Sequence, residues 1–147
     1  MNQEDKYYNY FVDGMSGNIL YKQFILSKYV NSNFDTDKLL LIDTGGNELV
    51  VFMNKDYKYA FPQSAFYLVK MAPQYLVDRA FDDIKDADII ILQKNDNLPI
   101  MFFNDDTSLT ALEKRKPLWN YLNANFKQDT VIAEDFLIFI RNKTDIK

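Results

Sequence analysis

The sequence predicts an α/β domain with three layers, in which a mainly parallel sheet is flanked by helices and ends in a C-terminal antiparallel hairpin. Two short runs, residues 39–42 and 89–92, are apolar at every position, which is typical of strands buried on both faces. Helical patterns with one apolar face precede, separate and follow these runs. Two further β-like runs, residues 130–133 and 136–141, lie so close together that we predict a hairpin.

The central unit of this prediction is a strand followed by a glycine turn and a short helix. Gly45 and Gly46 interrupt the first apolar run because glycine reaches backbone angles that β-branched residues cannot. Asn47 can cap the helix that follows, and Glu48 suits its first turn. This order of elements opens a βαβ unit.

The remaining chain divides into a polar arm or linker over residues 1–16 and a single α/β domain over residues 17–147. Within the domain we predict an amphipathic helix over residues 18–30, an aromatic strand over 57–61 and a helix that begins at Pro73. Thr110 and Glu113 have the spacing of a capping box, and Pro117 suits the first turn of a last helix. The helix that begins at Pro73 is predicted to bury an apolar face of Leu76, Val77, Ala80, Phe81 and Ile84. The helix that contains Pro117 is predicted to bury Leu118, Trp119, Leu122 and Phe126.

Composition excludes several classes of chemistry. The chain has no Cys and no His, so catalysis by Ser-His-Asp or Cys-His groups and thiolate metal sites are excluded within it. Its net charge of -4 and scattered basic residues argue against a nucleic-acid surface. No stretch approaches the roughly 18 apolar residues of a membrane-spanning helix.

Acidic pairs are the remaining candidates for catalysis or metal binding. The sequence Asp86-Ala87-Asp88 has the form of a metal-binding motif of GT-A glycosyltransferases, but there the motif follows a strand and here it precedes one. Asp105 and Asp106 could bind Mg²⁺ or Ca²⁺ through carboxylate oxygens, but two adjacent carboxylates without further ligands are usually only solvated. Trp119 at helical spacing fits the core better than a sugar-stacking platform. We therefore predict no catalytic residue, no metal ligand and no cofactor.

One ligand site remains plausible, at the carboxyl end of the first strand, where open α/β sheets bind their ligands. A plain tight turn competes with this interpretation. The negative charge of the segment suits a neutral polyol such as a sugar better than an anion. The candidate residues are Asp43, Thr44, Gly45, Gly46, Asn47 and Glu48.

The order of several segments resembles a known family. The segments are SKYVNSNF, DKLLLIDTGGNELVVFMN, YKYAFP, DADIIIL, PLWNYLNANF and EDFLIFIRN. Together they resemble the C-terminal extracytoplasmic domain of polytopic GT-C glycosyltransferases, of the protein mannosyltransferase and aminoarabinose transferase kind. The resemblance covers residues 10–141, and the glycine turn departs from it.

The resemblance implies a non-catalytic domain of a larger membrane protein, outside the cytoplasm. Its partners would be the transmembrane part of the same polypeptide and carbohydrate or a lipid-linked sugar. In that family the catalytic acidic residues lie in a loop between transmembrane helices that this sequence does not contain. The alternative is a stand-alone cytoplasmic domain, either ligand-binding or a small enzyme, with its site near residues 43–48.

Overall fold

The computed structural model describes residues 15–43, 53, 56–59, 68, 71–96 and 107–142, with side chains from residue 21 onward. Four helices lie in this part of the chain: α1 (Met15–Asn33), α2 (Gln74–Asp86), α3 (Ser108–Lys114) and α4 (Lys116–Asn125). The strands are β1 (Leu39–Ile42), β2 (Ile89–Gln93), β3 (Phe126–Ile132) and β4 (Phe136–Arg141). The predicted α/β class is confirmed.

The strands form one open sheet in the order β1-β2-β4-β3. β1 and β2 are parallel, whereas β4 pairs antiparallel with both β2 and β3. The predicted C-terminal hairpin is therefore confirmed, but the described sheet is mixed and not mainly parallel. A run that is apolar at every position indicates only that both faces of the strand are buried. β2 is buried in this way although one of its neighbours, β1, is parallel and the other, β4, is antiparallel.

Each face of the sheet packs against different helices. Alternate residues such as Leu40, Ile90 and Phe139 share one cluster with apolar residues of α2, α3 and α4. The intervening residues, such as Leu41 and Ile91, share the other cluster with residues of α1. This alternation follows from the two-residue period of a strand, which sends successive side chains to opposite faces.

Helix α1 covers its face of the sheet with a regular stripe of side chains. Gln23, Leu26, Ser27 and Val30 are all buried, at the i, i+3, i+4, i+7 spacing of one helix face. The helix begins at Met15 and ends at Asn33, so it is longer at both ends than the predicted helix over residues 18–30.

Two local predictions are wrong. Residues 57–59, the described part of the predicted aromatic strand, are not in a strand. Instead, the Tyr57 hydroxyl accepts a hydrogen bond from the Leu41 backbone N–H at 3.2 Å, so a side chain bonds the outer edge of β1. The capping box lies at Thr107 and Thr110 rather than at Thr110 and Glu113, because α3 begins at Ser108.

The predicted helices that begin near Pro73 and Pro117 are confirmed in outline, whereas nearly all of the short helix predicted after the glycine turn lies outside the described residues. Val77, Ala80 and Ile84 of α2 are buried, with Leu76 and Phe81 packed beside them. Leu118 and Leu122 of α4 are buried too, and Pro117 lies in its first turn. Phe126 is buried as predicted, but it begins β3, which starts four residues earlier than the predicted strand.

Candidate functional site

The predicted ligand site lies only partly within the described residues. Asp43 is fully buried directly after β1. Thr44, Gly45, Gly46, Asn47 and Glu48 lie outside the described residues, as do Asp105 and Asp106. The described part of the site consists of Asp43 and of the side chains that lie near the carboxyl ends of the same strands.

Asp43 and Gln93 occupy neighbouring positions at the carboxyl ends of the two parallel strands. Asp43 follows Ile42, whose partner Leu92 is followed by Gln93. Gln93 in turn pairs with Phe136 of β4. Strand periodicity assigns Gln93 to the sheet face covered by α1, because Ile89 and Ile91 lie on that face.

A buried carboxylate holds this edge of the sheet together. Asp135, only 3% exposed, lies in the turn between β3 and β4. Its Oδ2 accepts a hydrogen bond from Gln93 Nε2 at 2.9 Å, and its Oδ1 accepts one from the Asn95 backbone N–H at 3.0 Å. Lys22 of α1 places its Nζ 3.6 Å from Oδ2. A helix, the end of β2 and the hairpin thus meet at one side chain.

Lys22, Asp43, Gln93, Asn95 and Asp135 are called the carboxyl-edge cluster below. Asp43 is 0% exposed, and Gln93 and Asp135 are buried. The ionisable groups of the cluster are the carboxyl groups of Asp43 and Asp135 and the ammonium group of Lys22. The formal charge of the cluster is therefore negative. A negative, amide-bearing cluster repels phosphate and suits the hydroxyl groups of a neutral ligand.

The sequence pattern contained only a faint signal for this cluster. Gln93 is the first polar residue after an apolar run, and Asp135 lies in a predicted turn, where a carboxylate is commonplace. Lys22 and Asn95 lie in a helix and a loop with many polar residues. What unites them is the docking of the hairpin turn and α1 onto the end of β2, which sequence spacing does not reveal.

Asp96 stabilises the start of α3 close to the same edge. Its Oδ1 accepts a hydrogen bond from the Ser108 backbone N–H at 2.7 Å, and its Oδ2 accepts one from the Ser108 hydroxyl at 2.5 Å. Both residues are buried. This carboxylate bonds a helix N-terminus, a favourable position for negative charge, and we assign it a structural role.

The acidic pair Asp86 and Asp88 lies at the opposite end of the strands, just before β2 begins. Lys38 Nζ lies 3.0 Å from Asp86 Oδ1, and Lys58 Nζ lies 2.8 Å from Oδ2. Hydrogen bonds from Lys58 and Lys38 lower the pKa of Asp86 to about 2. Asp88 accepts a hydrogen bond from the Thr36 hydroxyl at 2.9 Å. These carboxylates therefore bind neighbouring segments of their own chain.

Tyr59 and Arg141 lie around this pair. Burial, followed by the charge of Asp86, raises the pKa of Tyr59 above its usual range, so its hydroxyl stays protonated and can donate to Asp86 at 3.4 Å. Arg141 donates to the backbone carbonyls of Ile84, Lys85 and Ala87 at the end of α2, where a cation is favourable.

Three further features bear on function: the environment of Trp119, possible metal ligands and possible membrane-spanning helices. Trp119 is partly buried and packs against the core cluster that contains α2 residues, as predicted. Among the described residues, no group of three Asp or Glu side chains is placed to hold a metal ion. None of the described helices has the length and apolar character needed to cross a membrane.

Comparison with protein-family models, curated proteins and solved structures found no match to this chain.

Proposed function

We propose that the chain is a non-catalytic domain of a membrane-embedded glycosyltransferase that uses lipid-linked sugars, and that it helps to position the acceptor or the donor outside the cytoplasm. Its partners are the transmembrane part of the same polypeptide and carbohydrate. The proposal extends the resemblance of the segment order to GT-C glycosyltransferases.

The order of elements is the observation that carries the proposal. The resemblance implies a helix, a strand, a short helix, the aromatic YKYAFP strand, a helix, a strand with the DADIIIL sequence, a PLWNYL helix and a terminal strand. The described elements α1, β1, α2, β2, α4 and β4 follow this order, but residues 57–59 of the aromatic segment are not in a strand.

The state of the acidic residues supports a non-catalytic role. Asp86, Asp88, Asp96 and Asp135 each accept hydrogen bonds from their own chain. General acid–base catalysis needs a carboxyl group that can reach the substrate and whose pKa is matched to the task. A carboxyl whose pKa lies near 2, such as Asp86, is a poor proton donor at neutral pH.

Fractionation of the source cells tests the membrane part of the proposal. An antibody raised against this domain should detect a membrane-bound polypeptide much larger than the 17.3 kDa of the present chain. Protease added from outside the cytoplasmic membrane should destroy the epitope. A membrane-free protein of the mass of this chain would instead favour the stand-alone domain.

An activity assay tests the non-catalytic part. We expect the purified domain neither to hydrolyse nor to transfer sugars from activated donors when Mg²⁺ or Mn²⁺ is added. Asp88→Asn provides the decisive variant because Asp88 belongs to the acidic motif. Turnover by the wild-type domain that this substitution abolishes would indicate a compact glycosyltransferase.

The carboxyl-edge cluster favours a second candidate function, a stand-alone ligand-binding or small enzyme domain with its site near Asp43. The observation in its favour is that buried polar side chains gather where the two parallel strands end, which is the usual ligand edge of such sheets. The negative charge of the cluster again favours a neutral polyol.

A titration of the ¹⁵N-labelled domain with neutral sugars, and separately with sugar phosphates, tests this second function. Shifts confined to Asp43, Gln93, Asn95 and their neighbours with the neutral sugars would support it. Stronger binding of the phosphates at this edge would contradict the charge argument. The absence of shifts would leave the cluster with a structural role only.

A further inference from the structure

A groove on the sheet face opposite α1 has the features of a second ligand site. It lies between the first half of α2 and the junction of α3 with α4, and its volume is about 200 Å³. This volume is smaller than the roughly 300–1,000 Å³ of sites for drug-sized ligands, so one small molecule would fill it. The lining residues are Gln74, Val77, Asp78, Phe81, Arg115, Pro117 and Leu118.

The walls of the groove are mostly apolar and pack in or against the main core. Val77 and Leu118 are buried residues of the main core, and Phe81 packs against that core with its ring 5.4 Å from the ring of Tyr121. Lys85 covers the Phe81 ring, with its Nζ 4.1 Å from the ring centre. Because these residues belong to the core, an apolar ligand group would meet a surface that is already formed, at little cost in ordering.

The polar residues of the groove carry opposite charges and are held from different elements. Asp78 of α2 accepts a hydrogen bond from Gln74 Nε2 at 2.8 Å, one helical turn away. Arg115, between α3 and α4, donates from Nε to the Leu68 backbone carbonyl at 3.4 Å. A carboxylate has capacity to accept several hydrogen bonds, and a guanidinium presents a planar set of donors that suits a carboxylate.

We propose that this groove binds a small zwitterion of the amino-acid class. The ligand carboxylate contacts Arg115, its ammonium group contacts Asp78, and its apolar side chain lies against Val77, Phe81 and Leu118. An apolar surface flanked by one acid and one guanidinium complements both charges and the hydrophobic body of such a molecule. This site is independent of the proposed function, since it lies on the other face of the sheet from the carboxyl-edge cluster.

A titration of the ¹⁵N-labelled full chain with four small molecules tests the proposal in the wild-type protein. L-leucine and L-phenylalanine carry both charges, 3-phenylpropionate carries only the carboxylate, and phenethylamine carries only the ammonium group. We expect saturable shifts at Val77, Asp78, Phe81 and Leu118 with the two amino acids. Each single-charge molecule should bind about tenfold more weakly or worse, because a hydrogen bond to a charged group is lost.

Substitutions test the assigned contacts. Asp78→Asn and Arg115→Gln should each weaken amino-acid binding about tenfold or more, and Arg115→Lys should restore part of the loss by returning the charge. The matched control is Asp82→Asn, which removes an acid from the same helix at a side chain that is 73% exposed and outside the groove. It should leave the affinity unchanged.

Three results would overturn the proposal. The first is the absence of saturable shifts with either amino acid. The second is equal binding of an amino acid and of one of its single-charge analogues, which would show that the opposite charge is not recognised. The third is an equal loss of affinity in Asp82→Asn and Asp78→Asn, which would indicate a general charge effect. The wild-type comparison of ligands stands even where a variant fails to fold.

Discussion

Two carboxyl groups of α2, one turn apart, have pKa values displaced in opposite directions. Burial raises the pKa of Asp83 above its ordinary value, although Arg79 at 3.3 Å partly opposes this. Hydrogen bonds from Lys58 and Lys38 lower the pKa of Asp86 to about 2. The difference arises because Asp83 faces the protein interior, whereas Asp86 lies at the helix end within reach of two lysines.

The two groups should therefore affect stability in opposite ways as the pH falls. Asp86 binds its proton more weakly when folded, so it stabilises the fold above pH 3.8 and loses this contribution as the pH falls towards 2. Asp83 binds its proton more strongly when folded, so it destabilises the fold at neutral pH. That cost disappears as the pH falls through its raised pKa towards 3.8.

Urea unfolding of Asp83→Asn and Asp86→Asn between pH 7 and pH 3 checks this expectation. Asp86→Asn should lower the free energy of unfolding at pH 7 by at most about 1 kcal/mol, because the ion pairs are partly exposed and screened. Asp83→Asn should leave that free energy unchanged or raise it. The assignment would be contradicted if both variants lost unfolding free energy at pH 7. It would also be contradicted if the difference in unfolding free energy between Asp86→Asn and the wild type increased as the pH fell.

Among the elements, the β3–β4 hairpin has an unusual turn. Ala133 and Glu134 both have positive φ, at 51° and 59°. The Asp135 backbone N–H donates to the Ile132 carbonyl at 3.1 Å. Two positive φ angles closed by this bond match a type I′ turn, which usually contains Asn or Gly. The left-handed region costs other residues roughly 1–2 kcal/mol each.

Glu134→Gly should therefore raise the free energy of unfolding by about 1 kcal/mol. Glycine adopts the required φ without strain, and Glu134 is exposed, so little packing is lost. Glu134→Ala is the control, since it removes the same charge but keeps Cβ, and it should change stability much less. Thermal and urea unfolding measure both variants. Equal effects would mean that the backbone strain at Glu134 is negligible.

The outcome for the hairpin illustrates what sequence could predict. The positions of β2 and β4 were predicted well because strands buried on both faces are apolar at nearly every position. β3 was placed only in part because residues such as Lys127 and Asp129 are exposed on an edge strand, where polar and loop patterns look alike. The parallel pairing of β1 with β2 is as predicted, but the share of parallel strands was overestimated because an apolar run reports burial and contains no information about the direction of the neighbouring strand.

In the candidate sites, too, local positions could be predicted from the sequence but long-range contacts could not. Asp43 lies directly after β1, as predicted, but its complete burial was not predicted from the sequence. The bond from Gln93 to Asp135 spans 42 positions in sequence, and Asp78 and Arg115 line one groove from separate elements. Such contacts depend on helix docking, which local periodicity does not determine.

For the whole molecule, the division of the core into two clusters has a measurable consequence. Leu40, 1% exposed, lies in the cluster with α2, α3 and α4, and Ile138, 0% exposed, lies in the cluster with α1. The sheet separates the two side chains. Leu40→Ala should cost about 2–5 kcal/mol and Ile138→Val about 0.5–1.5 kcal/mol, through lost burial and cavity formation. A cost under about 0.5 kcal/mol for Leu40→Ala would place that residue at the surface.

A double-mutant cycle then tests the separation of the clusters. The costs of Leu40→Ala and Ile138→Val should add to within about 0.5 kcal/mol, because residues without shared partners act independently. The comparison pair is Leu40→Ala with Ile90→Val, since these residues are register partners within one cluster and their cavities merge. That pair should deviate from additivity by more than the first pair does. If urea unfolding showed the larger coupling between Leu40 and Ile138, the sheet would not separate two cores.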